Sequence, residues 1–265
     1  MPELPEVESF RKFIEKTSLH KSIHVVKLAS KNMLSETKEK ELIKALQGNS
    51  FEHTFRHGKF LFMKLAKGGN LMLHFGLTGD VEYAKAGEDH PEKFALHLHF
   101  DDDSSFFFTD TRKMGKIALV EDVDAFIEQR KYGPDALKIK MEDFIGKVGK
   151  KRVAVKTVLM DQKVVAGVGN EFSDEILFRA KVHPASPAVA LPAKKLTEIY
   201  DLMISILKES VKVNSDRSKL EKYYFLDNRK AGLACPSCKG KTSVQTIGGR
   251  SSYFCSRCQK VYKTK

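Results

Sequence analysis

The chain has 265 residues, 42% of them hydrophobic, which suffices for one large domain or two modest domains with a substantial core. Its formal net charge of +12 calls for an anionic partner, such as a nucleic acid or an acidic membrane surface. No run approaches the roughly 18 apolar residues of a membrane-spanning helix, and no signal peptide is evident. We therefore expect a cytoplasmic protein without a membrane partner.

The first ten residues, MPELPEVESF, predict a helix that begins at Pro5. Proline suits a first helical position because its missing N–H would have no partner there, and Glu6 and Glu8 favour the positive end of the helix dipole. Apolar residues then follow at helical spacing: Val7, Phe10, Phe13 and Ile14. This explanation leaves Pro2 and Glu3 without a role.

Residues up to about 125 predict an all-β sandwich or flattened barrel flanked by two helices. The second helix is expected over 36–48, where the helical pattern ends at a glycine. Short β-type runs separated by turn residues supply the strands, which we expect at 22–29, 50–55, 59–66, 70–79, 95–100, 105–110 and 116–121. His97 and His99 share one strand face, which we interpret as exposed strand positions rather than as a second metal site.

The pattern changes to helical spacing near residue 125. Helices are expected over 123–130, 141–148, 153–165 and 196–211. The run at 166–184, AGVGNEFSDEILFRAKVHP, predicts a glycine-rich turn that leads into a further helix, whose free N–H groups can bind a phosphate. We therefore expect an N-terminal domain over 1–125, a helical domain over 126–216, and a linker with a C-terminal module over 217–265.

All four cysteines lie in the C-terminal module, as CPSC at 235–238 and CSRC at 255–258. The spacing C-x2-C-x16-C-x2-C fits a four-thiolate zinc site with a hairpin between the two pairs. A disulfide in a secreted protein is the alternative, which the lack of a signal peptide disfavours. The ligands of the one structural zinc ion would be Cys235, Cys238, Cys255 and Cys258. The hairpin would turn at Gly248-Gly249 and present Arg250 to a phosphate.

The positive charge is concentrated in the same part of the chain. Residues 211–265 hold 13 Lys and Arg against 3 Asp and Glu, which leaves 46 − 13 = 33 against 34 − 3 = 31 in the first 210 residues. A basic C-terminal module of this kind is typical of nucleic-acid binding.

Six motifs follow one another along the chain: PELPEVE, RHGKFLF, LHFGLTG, TDTRKMGK, DQKVVAGVGN and the four-cysteine module. Together they resemble the formamidopyrimidine-DNA glycosylase/endonuclease VIII family of DNA-repair enzymes. The start is more similar to the formamidopyrimidine branch, since the other branch usually carries Gly where Leu4 stands. The resemblance implies a multidomain α+β chain with an N-terminal β-sandwich, a helix-two-turn-helix domain and a zinc finger, acting as a monomer on damaged double-stranded DNA.

The resemblance gives the first residues a catalytic role in a bifunctional DNA glycosylase/AP lyase of base excision repair. Once Met1 is removed, the Pro2 amine would attack C1′ of an oxidised or ring-opened nucleotide, form a Schiff base and lead to β,δ-elimination. Glu3 would be the general acid/base, and Glu6 a supporting carboxylate. Lys59 would lie near the phosphate and the nucleophile, where a cation lowers the pKa of the amine. A solvated turn lysine is the alternative for this last residue.

The resemblance also implies a set of DNA contacts. Phosphate contacts are expected from His74, Asn170 and Arg250. Positions near the base or the DNA are expected for Lys156 and Glu175, with plain helix surface as the alternative. An everted nucleotide leaves a gap in the duplex, and three residues would fill it: Leu77, Arg112 and Met114. The arginine of this set can pair with the orphaned base and favour cytosine, although its two apolar companions replace a more usual Met and Phe.

Two departures from the family pattern bear on the lesion. The segment 209–235 lacks the glycine-rich stretch that caps 8-oxoguanine, and Glu171-Phe172 replace a usual Ile-Tyr pair. We therefore expect ring-opened purines or oxidised pyrimidines to be preferred over 8-oxoguanine. An endonuclease VIII-like enzyme for oxidised pyrimidines stays open as an alternative.

Two readings outside DNA repair also stay open. A zinc-ribbon relative could bind DNA without cleaving it, but the set of Pro2, Glu3 and Lys59 argues against this class. A different N-terminal-proline enzyme, such as a small-molecule tautomerase, would not need the basic zinc hairpin.

Overall fold

A computed structural model of the chain describes residues 1–220 and 225–264. The chain divides into two compact units. The first holds Met1–Pro2 and Glu6–Arg130, and the second holds Glu3–Pro5 and Lys131–Lys265. Three residues next to the N-terminus therefore belong to the later unit. The three-domain boundaries at residues 125 and 216 stay predictions.

The first unit contains eight β-strands within its described residues. These are β1 Ile23–Leu28, β2 Phe51–His57, β3 Phe60–Leu65, β4 Asn70–His74, β5 Gly79–Ala84, β6 Leu96–Phe100, β7 Ser105–Asp110 and β8 Lys116–Val120. They form two four-stranded antiparallel sheets, with the orders β1-β6-β7-β5 and β2-β3-β4-β8. The predicted sandwich is confirmed.

Three helices accompany the sheets: α1 Leu4–Thr17, α2 Glu39–Leu46 and α3 Val123–Gln129. The core of the unit is rich in Phe and Leu because the strand runs place these residues on the inward face. Its buried members include Leu61, Leu73, Phe75, Phe106, Phe108 and Ile117. Each such side chain contributes roughly 1.5–3 kcal/mol by leaving water, so the sandwich is a rigid support for the loops at its ends.

Two of these loops cross from one sheet to the other and lie side by side. Residues 75–78 connect β4 with β5, and residues 111–115 connect β7 with β8. A Cβ on Gly76 would lie only 2.6 Å from the backbone nitrogen of Gly115, and the φ of Gly76 is +54°. Glycine is therefore required where the two backbones meet.

The strand β5 was not predicted. Its outward positions carry Asp80 and Glu82, and only Val81 and Tyr83 supply an apolar alternation. As an edge strand paired with β7 alone, it needs little hydrophobic sequence. Charged residues on an edge strand also oppose pairing with other chains, so this sequence is physically sensible although its β signal is weak.

The second unit contains the helices α4 Met141–Val148, α5 Val155–Met160, α6 Asn170–Arg179 and α7 Ala193–Lys212. Helix α7 packs against α4 and α6 through apolar residues three and four apart: Leu196, Ile199, Met203, Ile206 and Leu207. None of the described helices combines the length and the apolar composition needed to cross a bilayer.

The helix predicted over 153–165 is shorter in the structure and ends at Met160. The side-chain amide of Gln162 donates to the carbonyls of Met160 and Val168, both at 2.8 Å, and its Oε1 accepts the N–H of Gly167 at 2.9 Å. This amide closes a turn that continues into α6. The valines at 164 and 165, which suggested a continued helix, are buried within this turn.

The C-terminal module folds into a hairpin of β9 Ser243–Ile247 and β10 Arg250–Phe254. Gly248 and Gly249 form the two-residue turn with φ values of +56° and +74°. Positive φ at both turn positions is the pattern of a type I′ hairpin. The predicted strand–turn–strand is confirmed.

Candidate active site and nucleic-acid interface

The carboxylate of Glu3 lies at the N-terminus of α6. The side chain is 2% exposed, and its oxygens accept the N–H of Gly169 at 2.5 Å and the N–H of Glu171 at 2.8 Å. These N–H groups are among those that a helix start leaves without helical partners. The negative charge also lies at the positive end of the helix dipole. We predicted that the glycine-rich turn binds a phosphate. In this chain the N–H groups of Gly169 and Glu171 are instead taken by the carboxylate of Glu3.

The turn before α6 holds the backbone next to Glu3 as well. The N–H of Leu4 donates to the carbonyl of Gly167 at 3.0 Å. Gly167 has a φ of +118°, and a Cβ there would lie 2.6 Å from the Leu4 side chain. Only glycine allows this close approach. Glu3 is thus fixed through both its side chain and its neighbour's backbone.

Pro2 and Glu6 belong to the first unit. Both are partly exposed, and Met1 before them is exposed. While Met1 is attached, the Pro2 nitrogen is an amide. Removal of Met1 turns this nitrogen into a secondary amine. Glu6 lies in the first turn of α1. The catalytic role of Pro2 and the supporting role of Glu6 stay predictions.

Asn170 and Arg250 are the predicted phosphate contacts of the second unit. Asn170 is the first residue of α6, and its Oδ1 is buried with no hydrogen-bond partner among the described residues. Arg250 is exposed and begins β10, directly after the glycine turn. A Cβ on Gly248 would lie 2.6 Å from Thr157, so the turn packs closely on α5. The structure thus presents Arg250 from a rigid support.

Lys156 is not at the surface. It is fully buried, and its Nζ lies 2.6 Å from Oδ1 of the equally buried Asp174 and 3.3 Å from the carbonyl of Ser251. Oδ2 of Asp174 accepts from Arg229 at 3.1 Å and from the N–H of Tyr253 at 3.2 Å. Burial lowers the pKa of Lys156 and raises the pKa of Asp174, while the opposite charge of each partner acts against the shift.

Glu175 is also fully buried. It accepts from Arg179 at 2.8 Å and from the N–H of Leu226 at 3.0 Å, and burial raises its pKa. In this structure neither Lys156 nor Glu175 can reach a ligand at the surface, so a DNA contact by either stays a prediction. What the structure shows for both is an internal role. Lys156 and Asp174 connect α5 and α6 with β10, which carries Arg250.

Lys59 occupies the turn between β2 and β3. Gly58 and Lys59 form a two-residue loop in which Gly58 alone has a positive φ, of +56°, the pattern of a type II′ turn. Arg56 secures this turn, since its guanidinium donates to the carbonyl of Gly58 at 3.0 Å and to Glu8 on α1 at 3.0 Å. Lys59 itself is buried. It is therefore a held cation and not a freely solvated turn lysine.

His74 ends β4 and is held neutral. Burial, followed by the charges of Lys59 and Lys116, lowers its pKa from 6.5 to about 4. Its Nδ1 accepts the N–H of Gly76 at 3.3 Å, so the proton of the neutral ring is on Nε2. The ring packs on Phe60 with 4.9 Å between centroids. The neutral tautomer can therefore donate one hydrogen bond to a phosphate oxygen.

Lowering the pH from 6.5 to 4 is expected to destabilise the chain through His74. The unfolded chain binds a proton there and the folded chain does not, so stability rises with pH in this window, and roughly 3 kcal/mol is lost by pH 4. Urea unfolding at several pH values measures this. His74→Asn, which keeps an acceptor for Gly76, should flatten the profile, whereas His24→Asn at an exposed position should not. An unchanged profile in His74→Asn contradicts the assignment.

Leu77, Arg112 and Met114 lie on the two neighbouring crossing loops of the sandwich. Leu77 is partly exposed, Arg112 is exposed, and Met114 is 51% exposed although it is a large apolar residue. The structure thus brings together the three residues predicted to fill the gap in the duplex. An apolar side chain this exposed on a well-packed loop is suited to insertion into a base stack.

His97 is buried, unlike the exposed position that we expected. Its Nε2 and the Nδ1 of His99 both lie 3.1 Å from the hydroxyl of Ser105. His97 also stacks on Phe107 at 4.5 Å between centroids. Within the described residues the group able to hold a metal is the four cysteines, not these histidines.

The four cysteine sulfurs of the hairpin converge within 4.8 Å of one another. The Cys235–Cys258 and Cys238–Cys255 sulfurs are 3.6 and 3.7 Å apart. A tetrahedral zinc ion with Zn–S bonds of about 2.3 Å places its sulfurs roughly 3.8 Å apart, so the residues fit the ion. The backbone N–H of Gly240 donates to Cys238 at 3.2 Å, as expected around a thiolate ligand. The four cysteines are positioned to hold one structural zinc ion, which would staple the hairpin and leave no position open for chemistry.

Removing the zinc is expected to unfold the β9–β10 hairpin and weaken DNA binding, while the sandwich stays folded. About one equivalent of zinc should be released per chain, and amide exchange should rise in β9 and β10 but not in β3 and β4. The zinc-loaded Arg250→Ala variant is the comparison, because it removes one side chain and keeps the hairpin. Equal DNA affinity with and without metal would refute this role of the finger.

Three residues that hold parts of the site were not predicted: Arg56, Asp174 and Asp110, whose carboxylate accepts the N–H groups of Arg112, Met114 and Gly115. Arg56 lies within the motif RHGKF and Asp110 within TDTRKMG, but each looked like an ordinary flanking polar residue. Asp110 had one usable signal, because an Asp at a strand end accepts N–H bonds from the turn that follows. Asp174 had none, since its partners are distant in sequence.

Three family models match successive parts of the chain. The formamidopyrimidine-DNA glycosylase N-terminal domain matches residues 1–117, the H2TH domain of the same enzyme matches residues 132–222, and the zinc finger found in FPG and IleRS matches residues 232–261. The fold and the cysteine site are therefore those of a three-part DNA glycosylase, as predicted.

Relatives along the full length agree. Formamidopyrimidine-DNA glycosylase of Listeria innocua is 31% identical over 98% of this chain and all of its own length, and that of Arabidopsis thaliana is 29% identical over 99% of this chain and 72% of its own. The chain belongs to the formamidopyrimidine-DNA glycosylase family.

Solved structures show the same similarity. The Lactococcus lactis enzyme in complex with a FAPY-dG containing DNA has a TM-score of 0.88 and 27% identity, covering 97% of this chain and 100% of that one. The same enzyme bound non-covalently to an AP site containing DNA also has a TM-score of 0.88, with 26% identity, covering 97% of this chain and 99% of that one.

Proposed function

We propose that the protein is a bifunctional DNA glycosylase/AP lyase of base excision repair that acts on damaged double-stranded DNA. The observation that carries this proposal is the placement of Glu3. A carboxylate directly follows Pro2 and is fixed by two N–H groups at the start of α6. A general acid/base beside a nucleophile must be held in place, and this arrangement does so.

The reaction begins at the Pro2 amine after Met1 has been removed. Its lone pair attacks C1′, the C1′–N bond of the damaged base breaks, and the base leaves with the proton that the Pro2 nitrogen gives up. The Glu3 carboxylate takes up a second proton from water and passes it to the sugar ring oxygen, so the ring opens and an iminium forms between Pro2 and C1′. Loss of a C2′ proton then breaks the 3′ C–O bond, a second elimination breaks the 5′ C–O bond, and water releases the enzyme.

Lys59 supports the amine and the phosphate in this scheme. A cation near Pro2 favours the neutral, reactive amine and attracts the DNA backbone. The buried guanidinium of Arg56 pairs with the partly exposed Glu8 and holds the turn of Lys59 in place. Further phosphate contacts come from His74, Asn170 and Arg250.

The preferred lesion is a ring-opened purine. The relatives carry the name formamidopyrimidine-DNA glycosylase, and one L. lactis complex contains FAPY-dG. The lack of a glycine-rich stretch over 209–235 supports a weaker activity on 8-oxoguanine, although residues 221–224 of this segment lie outside the described residues. A monomeric state and a cytoplasmic location stay predictions.

The test is excision from duplexes that carry a formamidopyrimidine, an 8-oxoguanine or a dihydrouracil, with borohydride added to trap a Schiff base. We expect trapping and strand cleavage on the formamidopyrimidine duplex, and affinity that falls steeply with salt because phosphate contacts release counterions. Faster cleavage of dihydrouracil would favour the endonuclease VIII-like alternative. Tight binding without trapping on any duplex would overturn the catalytic proposal.

A further inference from the structure

We infer that Asp110 is the positioning residue for opposite-base selectivity. Its buried carboxylate accepts backbone N–H groups of the loop that carries Arg112 and Met114, and it accepts the side-chain hydroxyl of Thr78 in the loop that carries Leu77. The inference rests on the proposed function, and it assigns the selectivity to a residue that does not itself touch DNA.

Asp110 ends β7, and its side chain points into the loop that follows. Its Oδ1 accepts the N–H of Arg112 at 3.1 Å and the hydroxyl of Thr78 at 2.5 Å. Its Oδ2 accepts the N–H of Met114 at 2.9 Å and the N–H of Gly115 at 2.7 Å. A carboxylate has about four acceptor positions, so all of them are used.

Thr78 links Asp110 to the second loop, which carries Leu77. It donates to Asp110 and accepts the N–H of Arg112 at 3.1 Å, and it directly follows Leu77. The glycines next to these residues make the contact of the two loops close: a Cβ on Gly76 would lie 2.6 Å from Gly115, and one on Gly115 would lie 2.7 Å from the carbonyl of His74. The two backbones therefore hold one relative position.

Two of the side chains on these fixed backbones reach into solvent. Arg112 and Met114 are exposed, and the φ of the residue between them, Lys113, is +51°. Because the backbone of Arg112 is fixed and its side chain extends into solvent, the guanidinium can place its hydrogen-bond donors only within a limited region. A base edge that matches this position is bound without a cost for ordering the loop, and a base that does not match is disfavoured.

Loss of the carboxylate should release this constraint without touching the reacting atoms. In Asp110→Asn, the amide N–H2 replaces one of the two carboxylate oxygens and faces hydrogen-bond donors. The two hydrogen bonds that this oxygen accepted are therefore lost. Excision from a duplex needs the loops to replace the everted nucleotide. Formation of a Schiff base with a pre-formed abasic aldehyde in single-stranded DNA does not, because no base pair has to be opened.

The experiment compares wild type, Asp110→Asn, Thr78→Val and a control, Asp80→Asn, which changes an exposed acid on β5. Excision rates are measured on formamidopyrimidine duplexes with C, A, G or T opposite the lesion. Borohydride trapping is measured on single-stranded abasic DNA. The fluorescence of a 2-aminopurine placed opposite the lesion reports insertion of the loops, and thermal melting checks that each variant is folded.

Asp110→Asn is expected to excise opposite C on the order of 10- to 100-fold more slowly, as for the loss of one charge-assisted hydrogen bond. The ratio of its excision rates opposite C and opposite A should approach one, and the 2-aminopurine signal should be lost. Single-strand trapping should stay within about threefold of wild type, as for a neutral change. Thr78→Val should show the same pattern more weakly.

A folded Asp110→Asn variant with unchanged opposite-base ratios would overturn the inference, as would an equal fall in duplex excision and single-strand trapping. If Asp110→Asn does not fold, the ratios of excision rates with different opposite bases are compared between Thr78→Val and wild type. Unchanged ratios in Thr78→Val then overturn the inference. Failure of the wild type to trap on any DNA would instead overturn the proposed function, and the inference with it.

Discussion

Glu3→Gln is expected to lower base excision by about 10²- to 10⁴-fold, the usual contribution of a general acid/base. The amide cannot exchange a proton with the sugar. Its N–H2 group would also face one of the two N–H groups at the start of α6, which costs roughly 0.5–2 kcal/mol of stability. Single-turnover excision on a formamidopyrimidine duplex measures the rate, and thermal melting measures the loss of stability.

Glu52→Gln is the matched control for this variant, because Glu52 is an exposed glutamate on β2. Binding to a duplex with a non-cleavable abasic analogue separates chemistry from recognition, and it should change little in Glu3→Gln. Retention of more than roughly a tenth of the wild-type rate would remove Glu3 from the role of acid/base, since even the weakest such groups contribute more.

Asp174→Asn is expected to destabilise the protein by about 3–5 kcal/mol, the cost of removing one partner of a buried ion pair. Lys156 would lose its buried counter-charge, and one amide oxygen could not accept from Lys156, Arg229 and Tyr253 together. Stability should then rise with pH above neutrality, because burial lowers the pKa of Lys156 and the unfolded chain binds more protons up to its ordinary pKa of about 10.4. Urea unfolding between pH 7 and 9 measures both effects.

The double variant Lys156→Met, Asp174→Asn is the control for this account. Replacing the buried cation as well should recover stability relative to Asp174→Asn alone, because no unpaired charge remains inside. Amide exchange in β10 should follow the same order, since the pair joins α5 and α6 to that strand. Additive losses in the double variant would contradict an ion pair as the source of the effect.

Much of the fold could be predicted because its signals are local. The alternation of β6 and β7, the helical stripe of α7 and the glycine turn of the hairpin each depend on neighbouring residues. The zinc site was predictable for the same reason, since each C-x2-C pair binds as one local unit. The strand β5 was missed because an edge strand carries few apolar residues.

The parts of the site that were missed depend on contacts between distant residues. Lys156 is separated from Asp174 by 18 residues and from Ser251 by 95. Nothing near Lys156 in the sequence indicates that it is fully buried. Asp110 was missed although its partners Arg112, Met114 and Gly115 are close to it in sequence. Nothing in the sequence shows that its carboxylate is buried and accepts from the loop that follows.

Identifying the residue that becomes joined to DNA tests directly whether Pro2 is the nucleophile. The protein as purified is reacted with abasic DNA and borohydride, digested, and the adduct is located by mass spectrometry. We expect an N-terminal peptide that begins at Pro2, lacks Met1 and carries the reduced sugar on the proline nitrogen. An adduct on Lys59 or any other lysine, or trapping by protein that still carries Met1, would contradict this role of Pro2.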